Sequence, residues 1–456
     1  MTADDVRNVE DLKKCPIDYE RHGPNFRNEF AEKTHELHAK CPIAWTDSYE
    51  DHWVASGMDE VFALARRSDA VTNFRDADGS KNGYKGISIP AYDYGPYDTP
   101  SFLELDPPEQ TDFRKTLNPY LSPAAVVRWI PVIDELVHAC IDDKIESGSI
   151  DFVHDLANVV PAVVTMGMLG LPLTDWEIHN EPAHALMYTP PGSPDHERVT
   201  KMAMDSRAAL TAAVPEVRAN PRPGLMNALV KTTVVGKLLT DQEVTGTAML
   251  LVGGGFDTTT ALTGQSILWL SQHPAERTRL IKEIDTLLDA ATEEFLRYFT
   301  PAQGDARTFS QDVEINGVEF KEGERLWISW AMANRSPDVF PNPDEVDFDR
   351  GANRHAAFGL GIHRCIGSNV ARVLFKRMIA AVLERMPDFT VDPDKVVHYE
   401  SVGQINGLVN MPATFTPGKR LGPGFTETID RVQKIVIEQN LAEPVVSRRD
   451  AAKACD

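Results

Sequence analysis

Apolar residues recur at helical spacing through the middle of the chain, from about residue 123 to 300, with proline-rich breaks at Tyr188 to Pro194 and Asn220 to Pro223. Thr240-Asp241-Gln242-Glu243 has the form of a capping box, and His273-Pro274 stops the pattern that follows it. One helix over Asp241 to Ser271 is predicted, far longer than the usual ~12 residues. Elsewhere the period changes. Trp53-Val54-Ala55 reads as a strand, Met58 to Arg66 as a short helix, and Asp76 to Pro100 as a Gly/Tyr/Pro-rich loop. Between Val313 and Phe320 alternation of period two flanks Asn316-Gly317, a pair suited to the positive φ angles of a tight hairpin. A proline-punctuated loop, Ser336 to Asp349, leads to a glycine-rich loop from Phe358 and a helix from about Ser368 to Met386. The pattern predicts a mainly α protein with a small β region, an α+β class. No repeat or flexible linker divides it.

Charge narrows the function. The chain has 456 residues, with 46 Lys+Arg against 68 Asp+Glu and a formal net charge of −22. A nucleic-acid or anionic-membrane partner needs a basic footprint, so neither is expected. The polar, charged start, Met1 to Lys14, does not read as a signal peptide. The most apolar stretch, Val159 to Leu173, is interrupted by prolines and falls short of the ~20 residues a membrane span needs. The 5 cysteines, Cys15, Cys41, Cys140, Cys365 and Cys455, are odd in number and widely spaced. They form no disulfide framework and no Cys-x-x-Cys zinc pair, so a reducing cytoplasm is expected.

Two segments stand out chemically. The long helix carries Gly253-Gly254-Gly255 at its centre, where each glycine costs about 1 kcal/mol relative to alanine. Two readings are open: close packing against another helix, or a distorted backbone with a groove for a large flat ligand and a small one, bordered by Asp257 and Thr258. The second segment, Phe358-Gly359-Leu360-Gly361-Ile362-His363-Arg364-Cys365-Ile366-Gly367, places a cysteine just before a helix. Free amides and the helix dipole there favour a thiolate, although a lone cysteine is more often a small buried hydrophobe.

That second segment resembles the haem-binding signature of the cytochrome P450 family, Phe-x-x-Gly-x-x-x-Cys-x-Gly, at Phe358, Gly361, Cys365 and Gly367. His363 matches the bacterial form. Other family markers follow in order over roughly residues 15 to 417. Glu294-Phe295-Leu296-Arg297 is similar to the Glu-x-x-Arg pair, with Arg350 as its expected third member, and Gly254 to Thr258 resembles the oxygen-binding motif with its acid-alcohol pair. The segment from Asp106 to Arg114 resembles the approach to a helix that contacts the haem propionates. Gln110 stands where many bacterial members have histidine, and Arg114, Arg307 and His363 match propionate positions.

The resemblance implies a single triangular P450 fold enclosing haem b between the long helix and the cysteine loop, with Cys365 as axial thiolate ligand. Residues 1–417 would form one domain, and 418–456 a partly helical extension able to pack on the body or on another subunit through Ile429, Val432, Ile435 and Ile437. Gln110, Arg114, Gly254, Arg307, Phe358, Gly361, His363 and Gly367 would contact the haem. Asp257 and Thr258 would relay protons to dioxygen, while Glu294, Arg297 and Arg350 would be structural.

The implied activity is monooxygenation of a compact, mainly apolar substrate with one polar handle, by hydroxylation or oxidative dealkylation. A peroxide-driven peroxygenase and a haem sensor are alternatives that leave the acid-alcohol pair without a purpose. No flavin or dinucleotide fingerprint and no iron-sulfur cysteine cluster is present, so NAD(P)H electrons would arrive through a ferredoxin, or a flavodoxin, and its reductase. Arg114, Lys115, Arg364, Arg372, Lys376 and Arg377 either form a basic docking patch or are scattered solubilising charges. Tyr84, Tyr92, Tyr94, Tyr97, Met187 and Tyr188 would roof the substrate pocket, bordered by Leu250, Gly253, Gly254 and Phe256, with Gln303 and Gln404 as polar contacts. The tyrosines read equally well as surface turn residues.

Overall fold

The computed structural model describes residues 16–76, 83–91, 100–189 and 192–445. Tyr92, Tyr94 and Tyr97 lie outside the described residues. The chain packs as two compact units, the first from Met1–Gln110, Ala290–Cys365 and Tyr399–Asn406, the second from Thr111–Asp289, Ile366–His398 and Gly407–Asp456.

Unit one is built on a sheet whose strands lie in the order Ile43–Thr46, His52–Ala55, Arg325–Ser329, Gly304–Phe309, Val71–Thr72. The pairing of Arg325–Ser329 with His52–Ala55 is parallel and the others are antiparallel. All four residues of His52–Ala55 are buried, which fits a central strand covered on both faces. The Met58–Ala65 helix packs Val61 and Leu64 into the same core as Trp53, Phe309, Phe320 and Trp330. The Val313–Ile315 and Val318–Phe320 hairpin turns at Asn316 and Gly317, both at positive φ as the sequence requires. Cys41, at the C-cap of Phe26–Lys40, is disulfide-bonded, against the expectation from spacing alone. Spacing does not report which cysteines the fold brings within the ~5.5 Å between Cα atoms that a bridge needs.

Unit two is helical. Its centre is the 32-residue helix Asp241–Gln272, whose start shows both capping-box bonds: Thr240 N–H to Glu243 Oε2 at 2.7 Å and Glu243 N–H to Thr240 Oγ1 at 3.3 Å. Packed against it are Val159–Leu169, Trp176–Tyr188, His196–Ala219 and Ser368–Arg385. Every residue of Val159–Leu169 is buried, so the most apolar stretch of the sequence is a core helix. Among the described residues no helix is long and apolar enough to cross a membrane.

The C-terminal extension resolves in favour of the body. Phe425–Glu438 packs on Ile130–Lys144 with Ile429, Val432 and Val436 buried, Ile435 half-buried and Ile437 exposed. Arg128 donates to the carbonyls of Gln439, Asn440 and Glu443 at 3.0, 2.7 and 3.2 Å, satisfying groups that a helix C-terminus leaves open.

Candidate functional site

The cysteine loop belongs to unit one, and glycine makes its path possible. Gly359 and Gly361 sit at φ +65° and +73°, and a Cβ on Gly361 would stand 2.3 Å from the Ala65 carbonyl oxygen. Only glycine lets this loop lie so close on the Met58–Ala65 helix. Gln110 Nε2 donates to the Ile362 carbonyl at 2.7 Å, the Ala356 amide to Asn334 Oδ1 at 2.6 Å, and the Cys365 amide to the Phe358 carbonyl at 2.8 Å. Gln110 is 2% exposed, so at least one of its amide hydrogens holds the loop. Phe358 and His363 are half-buried on the same loop, and Gly367 is the N-cap of Ser368–Arg385.

Cys365 itself is exposed. The other described cysteine outside a disulfide, Cys140, is wholly buried, and burial pushes its thiol far above the ordinary range. One thiol is accessible and the other inert.

Arg307 is 3% exposed, and among the described residues its guanidinium donates to the Ala306 carbonyl at 2.7 Å and lies 4.0 Å from the Asp305 carboxylate, which also accepts from Trp330 Nε1 at 3.1 Å. Burial, only partly offset by Asp305 and Asp106, holds the Arg307 pKa below its ordinary value. A buried cation with a carboxylate only at the edge of contact suits a carboxylate from a ligand. An exposed thiol on a glycine-bent loop and a buried, under-neutralised arginine are the donor set that a haem with its two propionates requires.

Beneath the loop, Glu294 and Arg297 form a bidentate pair at 2.7 and 2.8 Å, with side chains 1% and 0% exposed. Arg350 Nε joins at 3.0 Å, the Asp347 amide at 2.9 Å and Asn353 Nδ2 at 2.9 Å. Burial alone would raise the Glu294 carboxyl, but the Arg297 and Arg350 guanidiniums and the Asp347 amide outweigh it and hold the group below the usual carboxylate range. Arg297 also donates to the carbonyls of Asn334, Pro343 and Glu345 at 2.9, 2.7 and 2.8 Å. One ion pair thereby fixes the proline-punctuated loop.

In unit two the glycine run proves to be an unbroken α-helix, which corrects the expectation of a distorted backbone. Both physical reasons for glycine hold, at different positions. A Cβ on Gly255 would stand 2.8 Å from Thr165 Oγ1, which is close helix packing, whereas one on Gly253 or Gly254 would meet no described atom within 4 Å. The Thr258 hydroxyl donates to the Gly254 carbonyl at 3.0 Å and is accessible. Asp257 is 1% exposed and bonded to His184 Nδ1 at 2.7 Å.

Of the expected pocket residues, Leu250 and Met187 are half-buried, as is Gln404. Phe256 is wholly buried. Gln303 Nε2 donates to the Thr300 carbonyl at 2.6 Å and its backbone N–H to the Gln404 carbonyl at 2.9 Å, which fixes its orientation. Several of the expected docking cations are already paired: Lys115 with Asp112 at 3.1 Å, Lys376 with Asp289 at 2.8 Å and Arg377 with Asp134 at 2.7 Å. Such pairing weakens any field they would present. Sequence reasoning missed His184, Asn353 and Gln110's bond to Ile362, because each depends on a contact remote in sequence.

Comparison with known proteins decides the family. The chain is 31% identical over 322 residues to the steroid C26-monooxygenase of Mycolicibacterium smegmatis, covering 70% of this chain and 80% of the relative. It belongs to the cytochrome P450 family. The P450 family model, described as cytochrome P450, matches residues 191–415. A mutant of P450 EryK in complex with erythromycin B superposes with a TM-score of 0.75 at 26% identity, covering 88% of this chain and 99% of the other. The P450 CYP109E1 from Bacillus megaterium in complex with testosterone gives 0.74 at 26% identity, covering 86% and 99%. The fold is therefore the α+β P450 fold, and the chain is a P450 monooxygenase, an oxidoreductase whose family uses haem and dioxygen.

Proposed function

We propose that this P450 hydroxylates, or dealkylates through the same hydroxylation, a compact and mainly apolar molecule with one polar handle, of the steroid or terpenoid class. Residues 1–417 act as one catalytic domain, with 418–456 as an appended brace. Electrons come from NAD(P)H through a separate ferredoxin and its reductase, and the cytoplasm is the compartment that supplies them. The observation that carries the reading is the exposed Cys365 thiol on a pinned, glycine-bent loop, in a chain 31% identical to a steroid monooxygenase.

Cys365 would hold haem b through its thiolate, and Arg307, Arg114 and His363 at the propionates; when bound, the haem would supply the activation of dioxygen. The chain's own part is positioning and proton supply. Gly253 and Gly254 keep one side of the long helix free of side chains, leaving width for a polycyclic substrate. Thr258, whose hydroxyl rests on the Gly254 carbonyl beside that strip, hands a proton outward, and Asp257, the preceding residue of the helix, replaces it.

The test has two parts. Reduced protein treated with carbon monoxide should show the red-shifted Soret band of a thiolate-bound haem, and Cys365→His should abolish it. Wild type without the band refutes the ligand assignment. A binding screen should then show testosterone and related steroids displacing iron-bound water. A screen in which only long unbranched fatty acids shift the spectrum rejects the substrate class.

A further inference from the structure

Asp257 does not sit alone in the helix. His184 comes from Trp176–Tyr188, a helix packed on Asp241–Gln272, and its Nδ1 lies 2.7 Å from Asp257 Oδ1 with the two side chains 4% and 1% exposed. Burying a carboxylate and an imidazole together is costly unless each satisfies the other, so the pair fixes the carboxylate in one rotamer. Two more rings surround the imidazole. Tyr188, one turn further along the same helix, meets it edge-on with centroids 5.3 Å apart. His154, from the turn before Val159–Leu169, meets it edge-on at 6.2 Å and is exposed to solvent. Burial chiefly pushes the Tyr188 phenol above its ordinary range, opposed by Arg198 and reinforced by Glu181, Asp195 and, least, Asp257.

Resting on the reading of Asp257 and Thr258 as the proton relay, we infer that His184 is the positioning residue that holds and reloads Asp257, with His154 as the solvent-side entrance. When Asp257 has given its proton to the Thr258 hydroxyl, the His184 imidazolium transfers its Nδ1 proton to Asp257 Oδ1. The neutral imidazole then recovers a proton from solvent at the exposed His154 end. One proton enters for each that leaves, and no other bond changes. Histidine suits this task because one ring nitrogen can take up a proton while the other gives one up.

Two measurements on the haem-loaded full chain test the inference. Proton NMR of the diamagnetic ferrous carbon monoxide form should show a strongly downfield Nδ1 proton from His184, and this resonance should vanish in both His184→Asn and Asp257→Asn. Its absence in wild type, or persistence in Asp257→Asn, overturns the proposal without any turnover assay. Turnover of testosterone is then driven either by dioxygen with NADPH, a surrogate ferredoxin and its reductase, or by hydrogen peroxide, which brings its own protons. His184→Asn can still donate to Asp257 but cannot carry a proton. It should lower the dioxygen-driven rate about tenfold or more and enlarge its solvent deuterium effect, leaving the peroxide-driven rate unchanged. Equal losses by both routes mean that His184 is merely structural. If Asp257→Asn slows the dioxygen route and His184→Asn does not, the inference fails alone. If Asp257→Asn slows neither route, the relay reading itself fails.

Discussion

Replacing Glu294 by glutamine keeps the side chain's volume and removes its charge. In the native protein Oε1 accepts from Arg297 Nη2 at 2.7 Å and the Asp347 amide at 2.9 Å, and Oε2 accepts from Arg297 Nε at 2.8 Å and Asn353 Nδ2 at 2.9 Å. A carboxamide has one acceptor oxygen. Whichever way it turns, its NH₂ faces two of those donors, and buried donors left unpaired cost about 1–3 kcal/mol each. Two of them give roughly 2–6 kcal/mol, in accord with the about 3–5 kcal/mol typical of removing one member of a buried ion pair. That is a large share of a net stability of about 5–15 kcal/mol. The control is Asp69→Asn, which breaks the exposed Arg67–Asp69 pair at 2.8 Å and should cost no more than ~1 kcal/mol. Urea unfolding followed by haem release and tryptophan fluorescence, with both variants in one series, reads the difference. Equal losses would refute the argument that burial and multiple donation give the Glu294 network its weight.

Three further outcomes are expected. Thr258→Ala should leave haem binding intact yet lower hydroxylated product per NADPH about tenfold, with the electrons appearing as hydrogen peroxide; wild-type coupling would remove Thr258 from the relay. Arg307→Gln removes a buried cation worth about 1.5–3 kcal/mol as a charge-assisted donor, so haem transfer to apomyoglobin should quicken about tenfold to a hundredfold, and an unchanged rate would exclude a propionate contact. His52 is fully buried, and burial first of all lowers its pKa from 6.5 to about 4. Between those values the unfolded chain binds the proton and the folded one does not, so stability is complete above pH 6.5 and falls by up to about 3 kcal/mol toward pH 4. His52→Asn should flatten that part of the stability curve; His22, also held near 4 chiefly by burial, adds to the slope, as do His38 and His179, lowered by burial as well.

Local rules carried the fold where the deciding contact is near in sequence. The capping box at Thr240 and Glu243, the Asn316-Gly317 turn and the glycines of the cysteine loop are each settled within a few residues, and each is where the pattern places it. Glu294 with Arg297 was legible for the same reason, an i,i+3 pair on one helix face. The failures have a common cause in distance along the chain. Gly253 to Gly255 look alike in sequence, but a Cβ on Gly255 would meet Thr165 while one on Gly253 or Gly254 would meet no described atom within 4 Å, a division set by how two helices cross. The burial of the Phe256 ring and the Gln303 amide's bond to the Thr300 carbonyl are likewise set by packing that the pattern does not announce. His184 lay beyond reach for a deeper reason. A single histidine on an amphipathic helix has no signature, and its meaning comes wholly from a carboxylate 73 positions later that the fold brings to 2.7 Å. The acid-alcohol motif announces what Asp257 can do, whereas the residue that supplies it with protons is fixed by packing between Trp176–Tyr188 and Asp241–Gln272. Relatives that share the motif therefore need not share the proton entrance, and that entrance is where this chain has room to differ from them.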